Sequence, residues 1–191
     1  MKIGIMGGTF NPIHNAHLII ARYAMEQYSL DKVIFMTGGN PPHKSGVLDK
    51  HMRHKMTALA AGDEFEISSY EVDKEEYSYT VHTLEHFASS SDRLFFIIGE
   101  DSLEDIGKWY KPERILELCT LLVFPRKSKE SLDAAIGETR GRFGGEILPI
   151  VAPIFGLSSS EIRRRIHEGK SVKHMLPDSV LDFIIENNLY K

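Results

Sequence analysis

The feature of this chain that most restricts its fold is a series of short apolar runs, each ended by a turn and followed by a helical pattern. Ile3 and Ile5 alternate within Lys2 to Met6, and the runs Val33-Ile34-Phe35-Met36, Leu94-Phe95-Phe96-Ile97-Ile98 and Leu121-Leu122-Val123-Phe124 follow. Each is too short for a helix and apolar enough for a buried strand. Between them, Leu18, Ala21, Met25 and Tyr28 share one face of a helix predicted from about Ala16 to Tyr28. Met52, Met56, Leu59 and Ala60 mark a second helix, and Val81, Leu84, Phe87 and Ala88 a third. Pro112 suits the first turn of a helix through Ile115, Leu116 and Leu118. An extended segment at Phe65 to Ser69, a helix around Leu132 to Ile136 and a strand near Ile147 to Val151 are predicted as well. Two helices close the pattern, at about Ser159 to Glu168 and Ser179 to Asn187, the first stopped by Gly169. Buried strands alternating with amphipathic helices predict an α/β fold, a Rossmann-like doubly wound parallel sheet with helices on both faces. With 191 residues and no linker or repeat, residues 1–191 read as one domain. Ligands of such sheets bind beyond the carboxyl ends of the strands, where strand order switches, so the loops after the strands are where chemistry is sought.

Composition narrows the classes. A formal charge of −4 argues against a broad nucleic-acid surface. It leaves room for a phosphate ligand in a locally positive cleft. No apolar stretch is long enough to span a bilayer, and the N-terminal one is too short for a signal-peptide core. Cys119 is the sole cysteine, which excludes an intrachain disulfide and suits a reducing, cytoplasmic location. The sequence does not fix the oligomeric state; a homodimer is compatible with it.

After the first strand comes Gly7-Gly8-Thr9-Phe10-Asn11-Pro12-Ile13-His14-Asn15-Ala16-His17. It is not a G-x-G-x-x-G fingerprint, and Gly169-Lys170-Ser171 fails as a P-loop because Arg164 stands at its first glycine and a helix precedes it. Gly7 and Gly8 are expected to let the backbone turn tightly and offer amide donors. His14 and His17, three apart across a helix start, can face the same side. With the positive pole of the helix they form an anion cradle. A zinc site is the rival reading, but the loop offers no third ligand. His51 with His54 and His82 with His86 are formally metal-competent pairs and read as solvated faces.

A second cradle is predicted at Leu157-Ser158-Ser159-Ser160-Glu161-Ile162-Arg163. With Ser158 as N-cap, Glu161 falls at the third helical position, the spacing of a capping box. Hydroxyls at a helix N-terminus with an arginine one turn along also suit phosphate. Successive residues turn by about 100°, so Arg163 is assigned to the ligand and Arg164 and Arg165 to solvent.

These two stretches together resemble the nucleotidyltransferase superfamily, whose signatures are an H-x-G-H loop and a late S-S-T-x-I-R segment. Over its whole length the chain looks like the bacterial nicotinate-mononucleotide adenylyltransferases. The narrower resemblance rests on Gly7-Gly8-Thr9-Phe10, Pro41-Pro42-His43-Lys44, Ser78-Tyr79-Thr80, Ile98-Gly99-Glu100-Asp101-Ser102, Lys108-Trp109-Tyr110 and Asn187-Asn188-Leu189-Tyr190, in family order. Three positions depart from it: Asn11 for the usual Asp, Ala16 for the glycine of H-x-G-H, and Ser160 for threonine.

The resemblance implies adenylyl transfer from ATP to nicotinate mononucleotide, with Mg2+ accompanying ATP. It implies that His14, His17 and Arg163 stabilise the transition state and that Gly7, Gly8, Thr9, Phe10, Gly99, Ser158, Ser159 and Ser160 hold ATP. His43, Lys44, Thr80, Asp101, Trp109, Tyr110 and Arg126 would face the acceptor. Trp109 would stack on the pyridine ring, whose positive charge favours an aromatic face. Thr80, Tyr110 and nearby amides would take the carboxylate. At this level two other readings stay open: a phosphopantetheine adenylyltransferase, whose chains are typically shorter and lack the Trp109-Tyr110 segment, and a nucleotide-sensing module that binds ATP without turnover.

Overall fold

The computed structural model describes residues 1–40 and 46–191, so His43 and Lys44 lie outside the described residues. Six parallel strands form one sheet in the order β3-β2-β1-β4-β5-β6. They are β1 (Lys2–Gly8), β2 (Lys32–Thr37), β3 (Glu66–Ser68), β4 (Arg93–Gly99), β5 (Cys119–Phe124) and β6 (Ile147–Pro149). The helices are α1 (Asn15–Tyr28), α2 (Lys50–Ala61), α3 (Thr80–Phe87), α4 (Glu100–Glu104), α5 (Pro112–Leu118), α6 (Lys129–Phe143), α7 (Ser159–His167) and α8 (Asp178–Glu186). A 3₁₀ turn, Ile106–Lys108, follows α4.

The period-two side-chain pattern of a strand sorts the two faces. Met6, Val33, Phe35, Phe95, Ile97 and Leu122 join one core with Ile20 and Ala24 of α1, Met56 of α2, Ile162 of α7 and Val180 of α8. Their neighbours Ile5, Ile34, Met36, Phe96, Ile98 and Leu121 join the other with Leu84 of α3, Ile115 of α5 and Leu132 of α6. Burial on both faces explains why the strands read as unbroken apolar runs. The sheet order reverses between β1 and β4, which pair directly. Their carboxyl ends, Gly8 and Gly99, therefore open into the crevice where such sheets bind ligands.

The element boundaries differ from the sequence reading in instructive places. β1 runs through Gly7 and Gly8 instead of stopping at Met6. The left-handed turn falls on Phe10, whose φ is 46°. What requires glycine is space: a Cβ on Gly7 would lie 2.9 Å from the Phe96 ring, and one on Gly8 2.8 Å from Phe10. α6 extends far beyond the predicted Leu132 to Ile136, and β6 is shorter than predicted. α4 and the turn after it had no sequence expectation. They bury Leu103 and Ile106.

Candidate active site

A cleft of about 1250 Å³ sits over the switch in strand order. It is lined by Gly7, Gly8, Thr9, Phe10, His14 and His17 after β1, by Gly99 and Asp101 after β4, and by Arg126 after β5. Thr80, Trp109, Tyr110, Ser158, Ser159, Ser160 and Arg163 complete the set that the sequence singled out. Every predicted site residue among the described residues therefore meets in one place.

The two imidazoles are locked by the start of α1. His14 is its N-cap, with extended backbone, and is 2% exposed. Its backbone N–H donates to Nδ1 of His17 at 3.2 Å. An Nδ1 that accepts leaves the proton on Nε2, so His17 keeps a donor at its far edge. The rings stack, centroids 3.7 Å apart and planes 21° from parallel, and the Phe10 ring meets His17 edge-on. Burial, and then the charge of Arg126, push His14 down to about 4. Burial, His14 and Arg126 likewise hold His17 well below the usual histidine range. Both rings are neutral at pH 7, and Nδ1 of His14 is buried with no hydrogen-bond partner among the described residues.

The late turn docks directly on this loop. The Ser159 hydroxyl donates to the Pro12 carbonyl at 2.7 Å, and an Arg163 Nη donates to the Asn11 carbonyl at 2.7 Å. Ser158 caps α7 by accepting from the Glu161 N–H at 3.2 Å. The reciprocal half of the expected capping box is missing, because the Glu161 carboxylate pairs with Arg164 at 2.8 Å. Arg164 also pairs with Glu168 and faces solvent, as expected. Arg165 corrects the expectation: it is half-buried and donates to the Ser171 carbonyl. Ser160 is the exposed residue of the three, and its hydroxyl shares a 3.1 Å hydrogen bond with that of Ser158.

Other predicted residues have double duties. The Phe10 side chain is core, packed on Phe35, so only its backbone is open to a ligand. Trp109 is half-buried, edge-to-face with Phe96, and still borders the cleft. Thr80 is the first residue of α3, with Tyr79 as N-cap. Tyr110 is exposed and tilts against Tyr79 at 5.0 Å. The Arg126 guanidinium lies over the Phe124 ring, with Nε 3.8 Å from Asp101. The side chain of Asn11, the departure from Asp, accepts from the Tyr190 hydroxyl at 2.7 Å.

Sequence reasoning missed the groups that hold these residues. Glu100 is fully buried and accepts from the N–H groups of Arg126 (2.7 Å) and Lys127 (3.1 Å) and from the Ser131 hydroxyl. Burial alone would raise this carboxyl, but the accepted hydrogen bonds outweigh it and hold it below the usual range. Glu71 borders the cleft and accepts from Thr83 at 2.5 Å. There burial wins, raising the carboxyl despite bonds from Thr83, Ser78 and Gly39. The S-Y-T and G-E-D-S segments carried a signal for the neighbourhood, though not for these two carboxylates.

Comparison with known proteins agrees in family and fold. A family profile described as Cytidylyltransferase-like matches residues 5–165. A probable nicotinate-nucleotide adenylyltransferase of Clostridium botulinum (strain Eklund 17B / Type B) is 44% identical, the match covering 100% of this chain and 98% of that protein. The similarly named protein of Caldicellulosiruptor saccharolyticus is 42% identical, with 100% of both covered. Among solved structures, Plasmodium falciparum nicotinic acid mononucleotide adenylyltransferase complexed with NaAD superposes with a TM-score of 0.76 at 22% identity, covering 99% of this chain and 97% of that one. The same enzyme complexed with APC gives 0.75 at 21%, covering 99% and 96%.

Proposed function

The chain belongs to the nicotinate-nucleotide adenylyltransferases of the cytidylyltransferase-like family, and from that membership we propose how its cleft works. The reaction is adenylyl transfer from ATP to nicotinate mononucleotide, giving nicotinate adenine dinucleotide and pyrophosphate, a step of NAD biosynthesis. The observation that carries the reading is that paired imidazoles, the capped tip of α7 and the Trp109-Tyr110 edge line a single cleft at the sheet's switch point.

The acceptor phosphate is mostly dianionic at neutral pH, its second pKa being about 6, so it needs no base. One of its oxygens attacks the α-phosphorus of ATP. The bond from that phosphorus to the bridging oxygen breaks, and pyrophosphate leaves with the electron pair. Catalysis is then alignment and dispersal of charge. The backbone of Gly7 to Phe10 and the Ser160 hydroxyl receive the triphosphate. His17, through Nε2, and Arg163 stabilise charge developing around the α-phosphate, with His14 behind His17. The histidine and arginine donors of this cleft suit phosphate oxygens, while a hard cation would take oxygen ligands such as the carboxylates of Asp101 and Asp105 that also line it; Mg2+ accompanying ATP would disperse charge on the leaving pyrophosphate. Arg126, Asp101 and the Trp109 face are assigned to the acceptor, with Thr80 and Tyr110 toward its carboxylate. The residues at 43 and 44 join them as phosphate contacts on sequence grounds. An acid-selective site follows, because an amide in place of the carboxylate would leave donors unpaired. A cytoplasmic location fits the lone thiol of Cys119, buried and pushed up to about 12 by that burial. No helix among the described residues is long and apolar enough to cross a membrane.

Pyrophosphate release with ATP, Mg2+ and a panel of acceptors tests the reading. Release is expected with nicotinate mononucleotide and far less with the amide or with phosphopantetheine. Preference for another acceptor, or ATP binding without release, would overturn it.

A further inference from the structure

One guanidinium lies beneath the cleft and not in its lining. Arg53, on α2, is 2% exposed. Its Nε donates to the Leu48 carbonyl at 2.8 Å, one Nη to the carbonyls of Thr9 at 2.7 Å and Gly38 at 2.6 Å, and the other to Gly39 at 2.8 Å. These four carbonyls belong to three separate segments: the loop after β1, the loop after β2, and the approach to α2. The ion pairs within 4 Å among the described residues leave Arg53 out; carbonyl dipoles meet its charge directly, and the charges of Asp49 and Glu71 favour it from farther off. Keeping a buried charge without a directly contacting counter-ion is costly. A planar fork of N–H donors, however, is the one side chain able to hold carbonyls from several directions in a fixed geometry.

The grip has a directional consequence. In a trans peptide the N–H points opposite to the C=O, and among the described residues the only cis bond is Asn11–Pro12. Drawing the Thr9 carbonyl onto Arg53 therefore turns the Phe10 N–H away from it. Drawing in Gly38 and Gly39 turns the next N–H groups outward, where those of Gly39 and Asn40 donate to the Ser78 hydroxyl at 3.2 and 3.3 Å. The loop is pressed against the Glu71 backbone so closely that a Cβ on Gly39 would stand 2.0 Å from the Glu71 carbonyl. One rigid group thus ties the loop assigned to ATP to the loop that leads toward residues 43 and 44.

We propose that Arg53 is a positioning residue for the transfer: by gripping Thr9 together with Gly38 and Gly39, it sets the spacing between the loop that receives ATP and the loop on the acceptor side. This rests on the adenylyl-transfer reading above. Each loop alone can still bind its own ligand when the tie is loosened. Alignment of the attacking oxygen with the α-phosphorus depends on both, and a misplacement of about 1 Å costs on the order of 10²-fold in rate.

The test compares wild type with Arg53→Lys, Arg53→Gln and Arg53→Ala in steady-state pyrophosphate release, using whichever acceptor wild type turns over and scaling rates to folded protein by thermal melts. Lysine keeps the charge but cannot hold four carbonyls, so it is expected to lose roughly 10- to 100-fold in kcat while both KM values stay within about threefold. The other two should lose more. A kcat within twofold of wild type per folded molecule, or a loss confined to KM, would overturn the proposal. If the glutamine and alanine variants do not fold, Arg53→Lys decides it. A wild type that turns over no acceptor would instead sink the functional reading, and this inference with it.

Discussion

If the proposed polyanion site is right, two stacked neutral imidazoles facing it make proton uptake part of binding. Burial and Arg126 depress both rings, and a triphosphate placed beside them reverses that balance, since an opposite charge favours the protonated form. Binding of a non-hydrolysable ATP analogue near pH 6.5 should therefore take up protons, read as binding heats that vary with the ionisation heat of the buffer; buffer-independent heats would mean the rings stay neutral. The free protein carries the complementary signature. Folded His14 titrates near 4 and an unfolded histidine near 6.5, so the unfolded chain takes the proton first. Stability from this group is complete above about pH 6.5 and is lost as pH falls toward 4, by up to about 3 kcal/mol. Thermal melts across that window should show it, and a flat profile would contradict the burial argument. For catalysis, His17→Ala removes a preorganised donor. It should cut kcat by about 10²- to 10³-fold with little change in acceptor KM, and wild-type turnover would remove His17 from the transition state.

At the scale of elements, the start of α7 serves stability and, under the proposed function, alignment as well. Ser158→Ala deletes the cap on Glu161 and should cost about 1 kcal/mol in unfolding. Because Arg163 stands one turn along, ATP KM should rise in the same variant; a lower melting point with unchanged ATP KM would separate the cap from the site. This helix start was legible from serine spacing, but the fate of Glu161 was not, since i,i+3 pairing with Arg164 competes for the same carboxylate. The β1 end teaches a similar lesson. The sequence marks Gly7-Gly8 as a segment bordering the cleft, whereas the reason for glycine lies in rings of Phe96 and Phe10 that meet it only in three dimensions. α4 was invisible because five residues with little apolar content make no period.

Across the whole molecule, the alternation of buried runs and amphipathic helices suffices to anticipate the sheet, and its switch point gathers residues from position 7 to position 163. What stayed hidden are the supports. Arg53 carries no sequence signal of its burial, because its carbonyl partners leave no mark in side-chain identity; Glu71 and Glu100 are likewise defined by what surrounds them. The two ends of the cleft should separate kinetically. Trp109→Ala is expected to raise acceptor KM several-fold while leaving ATP KM near wild type, and an equal effect on both would argue that the indole supports the whole cleft through Phe96.

The contacts that finish the loop after β1 come from far downstream: Ser159 on Pro12, Arg163 on Asn11, the Met175 carbonyl on the Asn15 N–H, and Tyr190 on the Asn11 side chain. A ribosome emits the first strand and its histidines early, yet the braces that shape them emerge about 150 residues later. Nascent chains that lack those residues would therefore carry the imidazoles without the braced loop of the proposed nucleotide site, and competence would switch on only once the braces have been made.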